Sequence, residues 1–155
     1  MEFLEFLNSK EKEILALIYK AEYSAEENTP LCLLGKKFFG FFKKKQKTVV
    51  ICTQNAKDIS GYSFPKSGRY DDDFNQTGIY LRRALRHEAV HVAQDCNNGK
   101  PLNIISIKKR KLNPYKEKAL LGSTSVSGHK DKEYEAYLIE DKPNTVIEVL
   151  EKFCF

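Results

Sequence analysis

The sequence predicts a small α+β domain, and three observations carry that expectation. Apolar residues recur at helical spacing in an N-terminal segment, 1–28, and dominate a middle stretch, 79–98, and a C-terminal one, 130–155. Thr48-Val49-Val50-Ile51-Cys52-Thr53 is β-branched, bounded by lysines and Asn55, and reads as a strand. At 155 residues the chain suits one domain, 1–155, able to bury about two thirds of its unfolded surface in one core.

Each element has its own signal. Asn8 with Glu11 three residues later resembles a capping box, and Ile14, Leu15, Ile18, Ala21 and Ala25 follow at helical spacing to about Glu27. Thr29-Pro30 ends that helix, and Leu31 to Phe42, punctuated by Gly35 and Gly40, reads as a strand or a core-packing loop. Ser60 to Asp73 is rich in turn residues and predicts a loop or hairpin. Its run Asp71 to Asp73 lacks the glycine and terminal glutamate of a calcium loop and is assigned no metal. Ile79 to Asn98 carries no proline or glycine, with Thr77 as N-cap and Asn97-Asn98-Gly99 before Pro101 as stop. Leu102 to Ile107 reads as a short strand, Tyr115 to Leu121 as a brief helix, and Gly122 to Gly128 as a flexible connector. Lys130 to Phe155 reads as helix, interrupted or kinked at Pro143.

Composition narrows the function classes. The net charge of +5 falls in short runs, Lys43-Lys44-Lys45 with Lys47 and Lys108-Lys109-Arg110-Lys111, which read as solvated loops. Neither interleaved aromatics nor a groove-binding helix accompanies them, so no nucleic-acid partner is expected. The N-terminus is acidic where a signal peptide would be basic, and no apolar run approaches the roughly 18 residues of a membrane span. A soluble, cytoplasmic protein without a membrane partner is the expectation. Cys32, Cys52, Cys96 and Cys154 form no CxxC pair, so free thiols are expected. Cys96 and Cys154 can meet in space, but a reducing cytosol opposes a permanent bridge.

The chemistry lies in His87-Glu88-Ala89-Val90-His91. Two histidines four residues apart share one face of a helix and reach a single Zn²⁺. Glu88 is rotated about 100° from His87 and sits beside such a metal, placed to take a proton from its water. A catalytic zinc normally has three protein ligands, so one must come from elsewhere. His129, Glu133 and Glu135 lie downstream for that purpose. The two glutamates, two residues apart on a helix, point about 200° from each other, so only one can face the metal.

With Glu133-Tyr134-Glu135-Ala136 downstream, this motif resembles the gluzincin metallopeptidases, and also short cyanobacterial proteins whose motif helix runs into V-A-Q-D-C. The likeness covers roughly residues 79–154, and it implies a minimal zincin-like domain, a small sheet packed on the motif helix and on a second, ligand-bearing helix. It implies Zn²⁺ held by His87, His91 and a glutamate of the second helix. Glu133 fits the family's E-x-x-A form and is taken as that ligand; Glu135 fits the E-A form and remains the alternative. Where the family often carries an aspartate or asparagine that orients a ligand histidine, this chain has Tyr137, leaving Glu140, Asp141 or a backbone carbonyl for that task.

The resemblance implies a peptide or protein substrate lying along the edge of the strand at Thr48 to Thr53, with Glu88 as general base. His129, Tyr134, Tyr137, Tyr62 and Tyr70 are the candidate donors to the carbonyl oxygen. Two other readings stand beside this one: a non-catalytic, zinc-stabilised regulatory or scaffolding domain, and a basic binding module in which the motif is accidental.

Overall fold

The computed structural model describes residues 1–62, 70–104 and 111–155, with 70–73 by their backbone only. The order is α1 (Ser9–Lys20), β1 (Ser24–Glu27), β2 (Gly40–Lys43), β3 (Thr48–Ile51), α2 (Thr53–Ser60), α3 (Tyr70–Cys96), α4 (Pro114–Ser127), α5 (Lys130–Ile139) and α6 (Pro143–Cys154), with short 3₁₀ turns at Glu2–Phe6 and Pro30–Leu34. The class is α+β, as expected.

Three strands make one sheet in the order β1-β3-β2, β3 parallel to β1 and antiparallel to β2. The strand expected at 48–53 is therefore central, shortened to Ile51 because Thr53 opens α2. Its unbroken apolar run follows from burial on both faces. Val49 and Ile51 join the main core with Leu81, Leu85, Ala89 and Val92 of α3, while Val50 packs with Phe41, Cys32 and Cys52 on the other side.

The N-terminal helix is shorter than its periodicity implies. Glu22 takes a left-handed φ of 69°, and Ser24 to Glu27 then pair with Thr48 to Ile51, so sheet formation claims the residues that would extend the helix. Within 31–42 the strand lies at Gly40, after a 3₁₀ turn. The motif helix starts earlier than expected: Thr77 is fully buried inside it rather than capping it. Its stop is the expected one, with Asn98 and Gly99 at positive φ and the Gly99 amide donating to the Gln94 carbonyl at 2.9 Å.

The segment expected as a flexible connector, 122–128, is the second half of α4. Asn113 caps that helix by accepting from the Lys116 amide at 2.8 Å, and Gly128 ends it at φ 75°. Glycine, serine and threonine are weak helix formers, which hid it. The C-terminal segment is two helices, with Pro143 at the start of the second. Pro101 to Ile104 are not strand; of the loop expected at 60–73, the end from Tyr70 is helix instead, while 63–69, the rest of that expected strand and residues 108–110 of the basic run lie outside the described residues.

The cysteines overturn the expectation of free thiols. Cys32 bonds to Cys52 and Cys96 to Cys154, with Cα–Cα distances of 5.6 and 5.1 Å. The fold sets the end of α3 beside the end of α6, so Cys96 and Cys154 do meet, and the bridge expected to be absent is formed. The second bridge closes a separation of 58 residues. Replacing both Cys96 and Cys154 by serine is expected to lower stability by about 2–4 kcal/mol, the usual worth of a long cross-link. Guanidinium unfolding read by circular dichroism measures it.

Candidate metal centre

α3 and α5 carry the site between them. His87 and His91 lie one turn apart on α3, as the spacing predicts, and Glu133 projects from the first turn of α5. All three are buried, and one donor atom from each falls within 4.8 Å of the others. His91 Nε2 stands 3.2 Å from His87 Nε2 and 2.9 Å from both carboxylate oxygens of Glu133; His87 Nε2 is 3.4 Å from Glu133 Oε2. This donor set can hold a metal ion.

A hydrogen-bond chain fixes how His91 presents its ring. Gln94 donates from Nε2 to the Lys132 carbonyl at 3.1 Å and to Glu135 Oε1 at 2.9 Å, both acceptors, so its oxygen is the end that faces His91. His91 Nδ1 then donates to Gln94 Oε1 at 2.8 Å, which leaves the Nε2 lone pair free for a cation. Glu135 anchors the chain by accepting from the Leu102 and Asn103 amides at 2.8 and 3.0 Å. The two glutamates of α5 thus part as their 200° separation requires: Glu133 meets the histidines, and Glu135 supports one of them from behind.

His87 has Glu140 on its other side. His87 Nδ1 and Glu140 Oε1 are both buried without a hydrogen bond and face each other at 3.7 Å. Of the three acceptors considered in place of the family's aspartate, Glu140 is the one beside His87. Asp141 pairs instead with Arg83 and Lys116. Tyr137 packs its ring 4.4 Å from the His87 ring and turns its hydroxyl to Ser123 and the Ala119 carbonyl.

The charges are mutually adjusted. Burial alone would lower both histidines, but Glu133, with Glu140 beside His87, raises them above the usual imidazole range. Burial would raise Glu133, yet the two imidazoles hold it well below the carboxylate range. Burial dominates at Glu88 and pushes its carboxyl up to about 7. Glu88 lines both a cavity of about 260 Å³, shared with His91, Glu133, His129 and Ser123, and a smaller one of about 100 Å³ shared with His87 and Tyr137.

Two contributors escaped the sequence. Gln94 was legible in principle, since it lies three residues after His91 on the same face. Gly40 was not: β2 crosses α3 so closely that a Cβ at position 40 would lie 3.0 Å from Glu88 Cγ and 3.1 Å from its Oε1. Of the five proposed carbonyl donors, His129 lines the larger cavity, whereas Tyr62 packs on Phe6 and Phe74. Tyr70 has only its backbone described, and Tyr134 lines neither cavity.

Residues 3–155 match the model of a family described as a domain of unknown function, DUF8637, and the chain belongs to that family. No curated protein and no solved structure matches.

Gln94→Leu is expected to weaken the binding of a metal ion such as Zn²⁺ or Co²⁺ at the His87-His91-Glu133 donor set ten- to a hundredfold, the usual cost of losing such a support. Competition with a chromophoric chelator reads the affinity. Gly40→Ala is expected to displace the Glu88 carboxylate while affinity for an added metal ion stays at the wild-type level; a crystal structure of the variant with Glu88 in place would contradict it.

Proposed function

We propose that this chain is a zinc-dependent metallopeptidase of zincin-like fold, with His87, His91 and Glu133 as ligands and Glu88 as general base. One observation carries the reading: a buried His-His-Glu donor set with a second, unligated carboxylate beside it in a cavity. When bound, zinc supplies a Lewis acid and brings the pKa of a coordinated water down to about 7.

Glu88 takes the proton of the attacking water and later passes it to the leaving amine. Its raised pKa suits both steps, since a base must release what it takes. Gln94 holds His91 in the tautomer a cation needs, and His129 donates to the carbonyl oxygen as charge develops there.

The substrate strand pairs along β2. β3, the edge expected from the sequence, has a partner on each side, whereas β2 ends the sheet order and passes against Glu88 at Gly40. An extended peptide added there by backbone hydrogen bonds brings its carbonyl to Glu88. The two disulfides suit an oxidising compartment better than the expected cytoplasm. No helix among the described residues is long and apolar enough to cross a membrane.

Zinc-loaded Glu88→Gln is expected to keep one equivalent of metal and lose hydrolysis of a quenched fluorescent peptide library by at least about a hundredfold, as a positioned base contributes. Turnover retained in that variant refutes the mechanism. His91→Ala is expected to lose the metal, read by elemental analysis; one equivalent still bound refutes the ligand assignment.

A further inference from the structure

The cavity that holds Glu88 and Glu133 also carries two lysines with no part in the proposed proton transfers. The turn that follows β2 supplies the first. Alternate residues Gly40, Phe42 and Lys44 follow one another past the motif helix: Gly40 lies against Glu88, Phe42 stacks toward His91 with ring centres 6.3 Å apart, and Lys44 reaches Gly99. α5 supplies the second, Lys132, directly before Glu133. Among the described residues neither ammonium group has a partner, whereas Lys43, Lys57 and Lys116 each pair with a carboxylate. Asp95, the acidic neighbour on that side of the cavity, has its Oδ2 engaged by the Tyr23 hydroxyl.

The two ammonium groups lie close enough to repel each other, and although Asp95 and Glu133 offset part of the charge on Lys132, neither forms an ion pair with either lysine, so an anion seated between the two is favoured. We propose that Lys44 and Lys132 form an anchoring subsite for a substrate carboxylate. The inference rests on the peptidase reading, in which a carboxylate comes from a chain's C-terminus or from an acidic side chain. The cavity, at about 260 Å³, admits a short segment rather than a folded partner. Four residue steps, from Gly40 at the start of β2 to Lys44 just past its end, span at most about 13 Å, so the anchored carboxylate lies roughly two to four residues from the scissile bond. The enzyme then selects short C-terminal segments, or sequences with an acidic residue at that distance, by charge.

Binding tests this apart from turnover. The probes are acetyl-hexaalanine with a free C-terminal carboxylate, the same peptide as its amide, and an amide with one internal glutamate. Each is titrated calorimetrically into zinc-loaded Glu88→Gln protein at low salt. At least one carboxylate peptide is expected to bind tenfold or more tightly than the plain amide, and which one does so identifies the source. Lys44→Gln with Lys132→Gln is expected to erase the difference without changing amide binding; the single Lys44→Gln, at an exposed position, gives a partial loss should the double variant not fold. Equal affinities, no binding by any probe, or a preference that survives both lysine substitutions overturns the subsite. Hydrolysis by the wild-type protein that ignores carboxylates also overturns it while leaving the peptidase reading intact, whereas carboxylate binding without any hydrolysis sinks only that reading.

Discussion

Carboxylate burial is the constraint on which the site depends. Glu11, Glu88, Glu133, Glu135 and Glu140 are all nearly or fully buried, and an ionised carboxylate out of water is tolerated only with compensation. Four have fixed partners. Glu11 faces Arg86, Glu133 faces two imidazoles, Glu135 accepts from two backbone amides and Gln94, and Glu140 lies near Arg83 and Lys116. Glu88 accepts no hydrogen bond from another described residue, and burial raises it to about 7. The one carboxylate of the five left without an ion pair or a hydrogen bond among the described residues is the one that faces both cavities.

That arrangement explains the course of the surrounding elements. α5 must present Glu133 to α3 while its other face keeps Glu135 against the chain at Leu102 and Asn103, and this pins the segment after α3 to the back of the site. α4 then roofs it, Ser123 meeting the Tyr137 hydroxyl beside His87. The sheet contributes a close approach: with glycine at 40, β2 comes within van der Waals distance of Glu88, and the edge of the sheet becomes a wall of the cavity.

The histidine spacing was legible because a helix fixes it locally: any helix carrying His87 and His91 brings them to one face. Glu133 was legible only through resemblance, since its meeting with α3 is a tertiary event; the 200° rule showed that one of two glutamates must turn away, without saying which. β3 announced itself through β-branched residues, but not its central place, which depends on pairing with Ser24 to Glu27, residues whose periodicity speaks for helix. α4 was hidden by its glycine and serine content and is held by caps and by packing on α5. The Cys96–Cys154 pairing was within reach of the sequence and was set aside only because a reducing compartment was expected, whereas the Cys32–Cys52 bridge, which depends on how the 3₁₀ turn packs against the end of β3, left no signal in the spacing.

The core also bears on what a metal at these donors would do for the fold. The main apolar cluster draws on α1, β3, α3, α5 and α6, from Phe3 to Leu150, and includes none of the three donors. In a small structural zinc domain the ligands replace a core, and folding free energy is largely metal-binding free energy. Here the donors sit beside a core that is complete without them, and imidazoles with raised pKa values can balance Glu133 by protonation. A metal held by these donors, as proposed, would stabilise an already folded chain by mass action rather than create the fold. Three buried donors and an unpaired carboxylate set beside a complete core are what the proposed peptidase reading requires, and the fold does not need them for its own stability.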